Sequence, residues 1–275
     1  MSTLQVIVLG AIAGFTIFLG LPVGRIRTRS RSAKTFLNGL SAGILVFLLV
    51  DILKNAGGVL EDSLTAAQQG TGSWAHFAAI GGLYVGGLGA GLLSLLYLEQ
   101  ARRRPRSSLG PGAMALAETP AAVREEALRL GMAIATGIGL HNFSEGLAIG
   151  QAALSGEISL ALLLVIGFGL HNATEGFGIV GPLAAADVRP SWTWLLGAGL
   201  VGGGPTFLGT IVGHAVSSPY VFVAFLALAA GAILYVVGEL FSAGRRLSWE
   251  ITLWGLFAGF LIGLATELVV VAAGA

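Results

Sequence analysis

From Pro190 to Gly238 the chain contains no Asp, Glu, Lys or Arg, a run more than twice as long as the roughly 20 apolar residues that carry a helix across a bilayer. Two membrane crossings account for it, divided at Ser217-Ser218-Pro219, where the residue types signal a turn. The same reading along the chain predicts eight spans, near residues 4–24, 35–54, 75–98, 127–152, 158–183, 192–216, 220–242 and 249–272. Composition agrees, because only 11% of residues are charged and 43 glycines accompany a hydrophobic share of 55%, whereas a soluble protein is about 25% charged. The expected fold class is an all-α polytopic membrane protein with the lipid bilayer as its solvent. A net charge of +1 offers no basic surface, so no nucleic-acid partner is expected.

Charge placement sets the orientation. The first apolar run follows Met1 with no basic stretch before it, which reads as an uncleaved first span rather than a signal peptide. Of the 15 Lys and Arg residues, 14 fall at the connections after spans one, three, five and seven or in the first turn of span four, and only Lys54 falls on the other side. Cytoplasmic connections collect positive charge, so both termini are expected outside. The segment 100–120, rich in Arg, Pro, Ser and Gly, reads as a flexible cytoplasmic loop between spans three and four within one transmembrane transport domain, 1–275. Clustered glycines such as Gly82, Gly86, Gly87 and Gly91 are expected to let helices pack closely and to carry no chemistry.

An internal near-repeat carries the chemistry. GIGLHNFSEGLAIG, from Gly137 to Gly150, recurs as GFGLHNATEGFGIV from Gly167 to Val180. The copies lie on consecutive spans and so run in opposite directions, which suggests inverted pseudo-symmetry about an axis in the membrane plane. In each copy His and Glu are four apart and Asn and Glu three apart, so His141, Asn142 and Glu145 share one helix face, as do His171, Asn172 and Glu175. An ionisable group at the bilayer centre costs several kcal/mol against lipid. Two Glu and two His there must face water, a cation or one another.

The chain has no cysteine and three methionines, which leaves imidazole, carboxylate and amide as metal ligands. That donor set suits Zn²⁺, Fe²⁺, Mn²⁺, Co²⁺ or Cd²⁺ and disfavours Cu⁺. Neither H-E-x-x-H nor G-x-S-x-G occurs, yet His and Glu also build hydrolytic metal centres, so a metal-dependent intramembrane hydrolase stands beside transport as a reading. Further polar residues, Asp51, His214 and Glu267 towards outer span ends and Glu239 near an inner one, are positioned as a pathway. His76 is expected to be solvated, Glu61 and Asp62 to form an acidic outer loop, and Gly202-Gly203-Gly204-Pro205 to weaken or kink span six at the depth of the paired motifs.

Taken together, these features resemble the ZIP (Zrt-, Irt-like protein) family of divalent-metal transporters. The resemblance rests on eight spans with a loop after the third, on H-N-x-x-E-G in both span four and span five, and on the GAILYVVGEL and GLFAGFLIGLATEL runs that contain Glu239 and Glu267. It implies a first metal site of His141, Glu145, His171 and Glu175 and a second of Asn142, Asn172 and Glu175. Gly204 stands where binuclear members bring a glutamate before a proline, so the second site is expected to be weak and Gly204→Glu to strengthen it. The loop lacks the family's histidine-rich tract. The function implied is an inner-membrane carrier moving a divalent metal ion, Zn²⁺ foremost with Fe²⁺ or Mn²⁺ as alternatives, towards the cytoplasm. No P-loop is present to use ATP. No cofactor is expected beyond the transported ion, and assembly as a homodimer is left open.

Overall fold

The computed structural model describes residues 2–26, 30–102, 119–156, 158–216 and 218–272. They form eight consecutive helical spans. Span one comprises Thr3–Phe15, a single turn Ile17–Gly20 and a 3-10 segment Leu21–Arg25; the others are Arg31–Gln68, Trp74–Arg102, Pro120–Leu154, Ile158–Ala185, Trp192–Ala215, Pro219–Leu247 and Trp249–Ala272. Among the described residues seven of these are long and apolar enough to cross a membrane. The exception by composition is span four, whose 35 residues add Arg124, Glu125, Glu126 and Arg129 in the first turns to His141, Asn142 and Glu145 further along.

Local sequence explains where the helices start. Ser2 and Gln5 form a reciprocal capping box, and Ser30, Thr119, Ser191 and Ser218 each accept a hydrogen bond from a backbone N–H in the first turn of the helix that follows. Pro120 and Pro219 occupy the first helical position, where a missing N–H costs nothing. Span five ends in a paired C-terminal closure, Val188 N–H to Leu183 O and Asp187 N–H to Ala184 O. Asp187 there has φ 61°, a left-handed conformation usually taken by glycine.

Several expectations need correction here. Span two does not end near residue 54 but continues to Gln68, so Glu61 and Asp62 lie on an exposed helical extension and not in a loop. Span six remains one helix through Gly202-Gly203-Gly204-Pro205, with Pro205 inside it, so the run does not break the span. Most of the expected 100–120 loop lies outside the described residues. Gly87 and Gly91 do pack on span seven at Ala227 and Leu228, but Gly82 and Gly86 meet nothing.

Backbone-to-backbone packing holds the bundle together. Span four lies on span six through Gly146 and Gly150 on one side and Gly209 and Gly213 on the other; a Cβ on Gly146 would stand 2.8 Å from the Thr210 nitrogen. Span two packs in parallel on span eight through Gly39, Gly43, Gly255 and Gly259, and span one is pressed between Gly176 of span five and Gly203 of span six. Without a hydrophobic driving force between helices in lipid, such close approach supplies the dispersion contacts that hold the helices together. The basic ends converge on the turn between spans five and six, where Arg25 donates to Pro190 O and lies 4.5 Å from the Trp192 ring centroid, and Lys34 pairs with Asp187 at 3.2 Å.

Candidate metal centre

The paired motifs meet in the interior. His141, Asn142, Glu145, His171, Asn172 and Glu175 are all buried, none more than 5% exposed. Each set of three projects from one face of its helix by the three- and four-residue spacing, and glycine contacts bring spans one and six against the same region. Glu145 Oε1 is 3.3 Å from His141 Nε2 and 3.9 Å from His171 Nδ1, while Glu175 Oε1 is 3.9 Å from His171 Nε2. The two imidazole centroids are 6.1 Å apart. Glu145 is therefore the carboxylate that reaches both rings.

Two ligands of one tetrahedral ion with bonds of about 2.0–2.1 Å stand roughly 3.3 Å apart. The His141–Glu145 pair already has that spacing, and the two His171 contacts are wider. Among the described residues no group of three His, Cys, Asp or Glu side chains stands close enough, as placed, to hold a metal ion. Unpartnered polar atoms nevertheless gather here. Both nitrogens of His141, Glu145 Oε2, His171 Nε2, Glu175 Oε1 and Asn142 Oδ1 are buried without a hydrogen-bond partner. Unpaired buried polar atoms are expensive, and carboxylate oxygens beside imidazoles that each keep one free lone pair suit a cation.

The asparagines form a separate network. Asn142 Nδ2 lies 2.7 Å from Asn172 Oδ1, 3.0 Å from Glu175 Oε2 and 3.0 Å from the Gly202 carbonyl. Asn172 Nδ2 donates to the Ala13 carbonyl at 2.8 Å. One oxygen of Glu175 is thus held by an amide while the other faces His171.

Among the described residues the remaining pathway residues make no direct contact with this cluster, although Asp51 and Glu267 lie near enough to interact with it electrostatically. Asp51 accepts from Asn55 Nδ2 at 3.0 Å, and the contacts Gly43–Leu256 and Phe47–Gly263 set a register that puts Asp51 and Glu267 at one height on spans two and eight. Glu239 is half-buried on span seven beside Leu240, whose carbonyl accepts from Asn38 Nδ2 at 3.1 Å. His214 is half-buried in the last turn of span six, against Gly150. His76, expected to be solvated, is half-buried and also shares an exposed hydrogen bond of 2.7 Å with the Tyr220 hydroxyl. Gly204 needs a larger correction. It lies on the same helix face as the exposed Leu200, Leu208 and Ile211, and a Cβ there would meet nothing. Span six reaches the network through the Gly202 carbonyl instead.

Sequence reasoning missed three participants: the Ala13 and Gly202 carbonyls and Phe47. The Phe47 ring lies 6.2 Å from that of His171 and 5.6 Å from that of Phe260, one turn below Asp51. A backbone carbonyl has no sequence signature, and Phe47 reads as an ordinary apolar residue.

Eight helical spans around a buried His/Glu cluster define a multi-pass membrane protein whose interior is consistent with a metal site. A family model described as ZIP zinc transporter matches residues 114–265, more than half of the chain and all of both motifs. The chain belongs to the ZIP zinc transporter family, whose members are transporters and not enzymes, which sets aside the hydrolase reading. No curated protein matches the chain.

Proposed function

We propose that the chain is an inner-membrane carrier, with both termini outside, that moves divalent transition-metal ions, Zn²⁺ foremost, towards the cytoplasm through a site formed by His141, Glu145, His171 and Glu175. The observation that carries this reading is the set of buried, partnerless lone pairs on those four side chains. Two neutral imidazoles and two carboxylates would balance the charge of one divalent ion and supply the borderline donors that Zn²⁺ prefers. The bilayer-centre cost of the carboxylates falls when the ion binds, so an occupied site is better matched to its surroundings than an empty one. Asp51 and Glu267 would collect the ion on the outer side, and Glu239 would lie on the exit path. The 14 to 1 distribution of Lys and Arg supports the orientation.

Metal flux into proteoliposomes made from the purified chain tests this. Saturable Zn²⁺ uptake that vanishes in Glu145→Gln and in Glu175→Gln is expected, and competition by Fe²⁺ and Mn²⁺ in the same vesicles ranks the cargo. Wild-type uptake rates in either variant would overturn the assignment.

A further inference from the structure

Asn172 sits in the ligand motif, yet both its polar atoms are already engaged, and neither is among the buried atoms without a partner. The direction of the amide network follows from chemistry. The Ala13 carbonyl can only accept, so Asn172 turns its NH₂ towards it and its oxygen towards Asn142. Asn142 must then present its own NH₂ to Asn172. The same NH₂ also faces Glu175 Oε2 and the Gly202 carbonyl, so two hydrogens serve three acceptors and the Asn142 oxygen is left free.

The far end of this relay is a weak point in span one. The helix Thr3–Phe15 stops at Thr16 and resumes as the single turn Ile17–Gly20, followed by 3-10 geometry. At the stop, the fully buried Ala13 residue has its carbonyl held by two side chains, the Thr16 hydroxyl at 2.7 Å and the Asn172 amide at 2.8 Å. Neither Pro nor Gly occupies residues 15–17. The interruption instead coincides with these two bonds and with backbone contact between Ile17 and Gly176 of span five. An interrupted helix in lipid needs its freed polar groups satisfied internally, and Asn172 does that here.

We infer that Asn172 is a positioning residue and not a metal ligand, and that it ties the interruption in span one to the Glu175 carboxylate through Asn142. The first half of this statement rests on the central cluster being the metal site; the tether itself does not. By holding Glu175 Oε2, the relay leaves Oε1 as the oxygen that Glu175 offers to the ion. A shift of Glu175 on binding is passed to span one.

The test uses the full chain in lipid nanodiscs. In metal-free, chelator-treated protein, Asn172→Ala removes one buried hydrogen bond, and amide hydrogen exchange over residues 14–21 is expected to rise about fivefold with the other spans unchanged. Zn²⁺ titration of the same variant is expected to show about tenfold weaker binding with the number of ions bound per chain unchanged. Unaltered exchange over residues 14–21 would overturn the tether. A Zn²⁺ affinity loss as large as that of Glu145→Gln would overturn the positioning role and make Asn172 a ligand. If Asn172→Ala loosens the whole bundle, Asn172→Leu decides, since it keeps a branched side chain of similar shape while removing the amide that Ala13 accepts: a local rise over residues 14–21 supports the tether and no rise refutes it. A wild-type chain that binds no Zn²⁺ would fail the proposed function, while the metal-free exchange would still judge the tether.

Discussion

Replacing Glu145 with glutamine keeps the shape of the side chain and removes its charge. Its Oε1 lies 3.3 Å from His141 Nε2 and 3.9 Å from His171 Nδ1, and its Oε2 is buried without a partner, so no other carboxylate is placed to substitute for it between the rings. Removing one partner from a buried charged contact costs about 2–5 kcal/mol, and each 1.4 kcal/mol is tenfold in affinity. Zn²⁺ binding should therefore weaken by about thirtyfold at the least and by about three and a half orders of magnitude at the most. Competition against a fluorescent chelator at neutral pH, on detergent-purified protein, reads this range directly. The metal-free variant should unfold at the same temperature as the wild type or higher, because an uncompensated buried carboxylate has been removed. A Zn²⁺ affinity within twofold of wild type, in protein that unfolds normally, would refute the reasoning.

Zn²⁺ affinity should fall as pH drops from about 7.5 to about 5.5, since only neutral imidazole and ionised carboxylate bind the ion and protons compete for both; titrations that stay flat over that range would exclude imidazole ligands. Gly204→Glu should leave the number of bound ions unchanged when counted by equilibrium dialysis, because position 204 shares its face with Leu200 and Leu208; an extra tightly bound ion would show that span six turns in the occupied protein. Gly146→Ala should lower the apparent Tm in detergent, by roughly 1–3 kcal/mol of overpacking, because its Cβ would press on the Thr206 and Thr210 backbone. Asp187→Gly should raise stability by about 1 kcal/mol by relieving the left-handed conformation at φ 61°; its ion pair with Lys34 involves a side chain that is 70% exposed and offsets little of that gain. A lower Tm in Asp187→Gly would mean that the pair matters more than the strain.

The parts of the fold that lipid imposes were readable from residue types. Charge-free runs had to cross the membrane, and polar residues repeated at helical spacing had to face inward, so the eight spans and the grouping of His141, Glu145, His171 and Glu175 followed. Lipid imposes nothing on a helix once it leaves the bilayer, which is why the extension of span two through Glu61 and Asp62 to Gln68 looked like a loop. The interruption at Thr16 was hidden for another reason. It depends on the Ala13 carbonyl meeting Asn172 from a distant span, and main-chain groups are the same at every position. Gly204 shows the limit of arguing from a family position: Pro205 fixed its place in the chain, but the face it presents depends on how span six packs against Gly139 and Gly146.

Anomalous diffraction from Zn²⁺-soaked crystals, recorded on both sides of the zinc edge, tests the central claim most directly. The expected result is one strong central peak enclosed by His141, Glu145, His171 and Glu175, with Asn172 still bonded to Ala13. A chain that transports Zn²⁺ but shows no peak there, or binds it only at Asp51 and Glu267, would contradict the assignment of the buried cluster as the transport site.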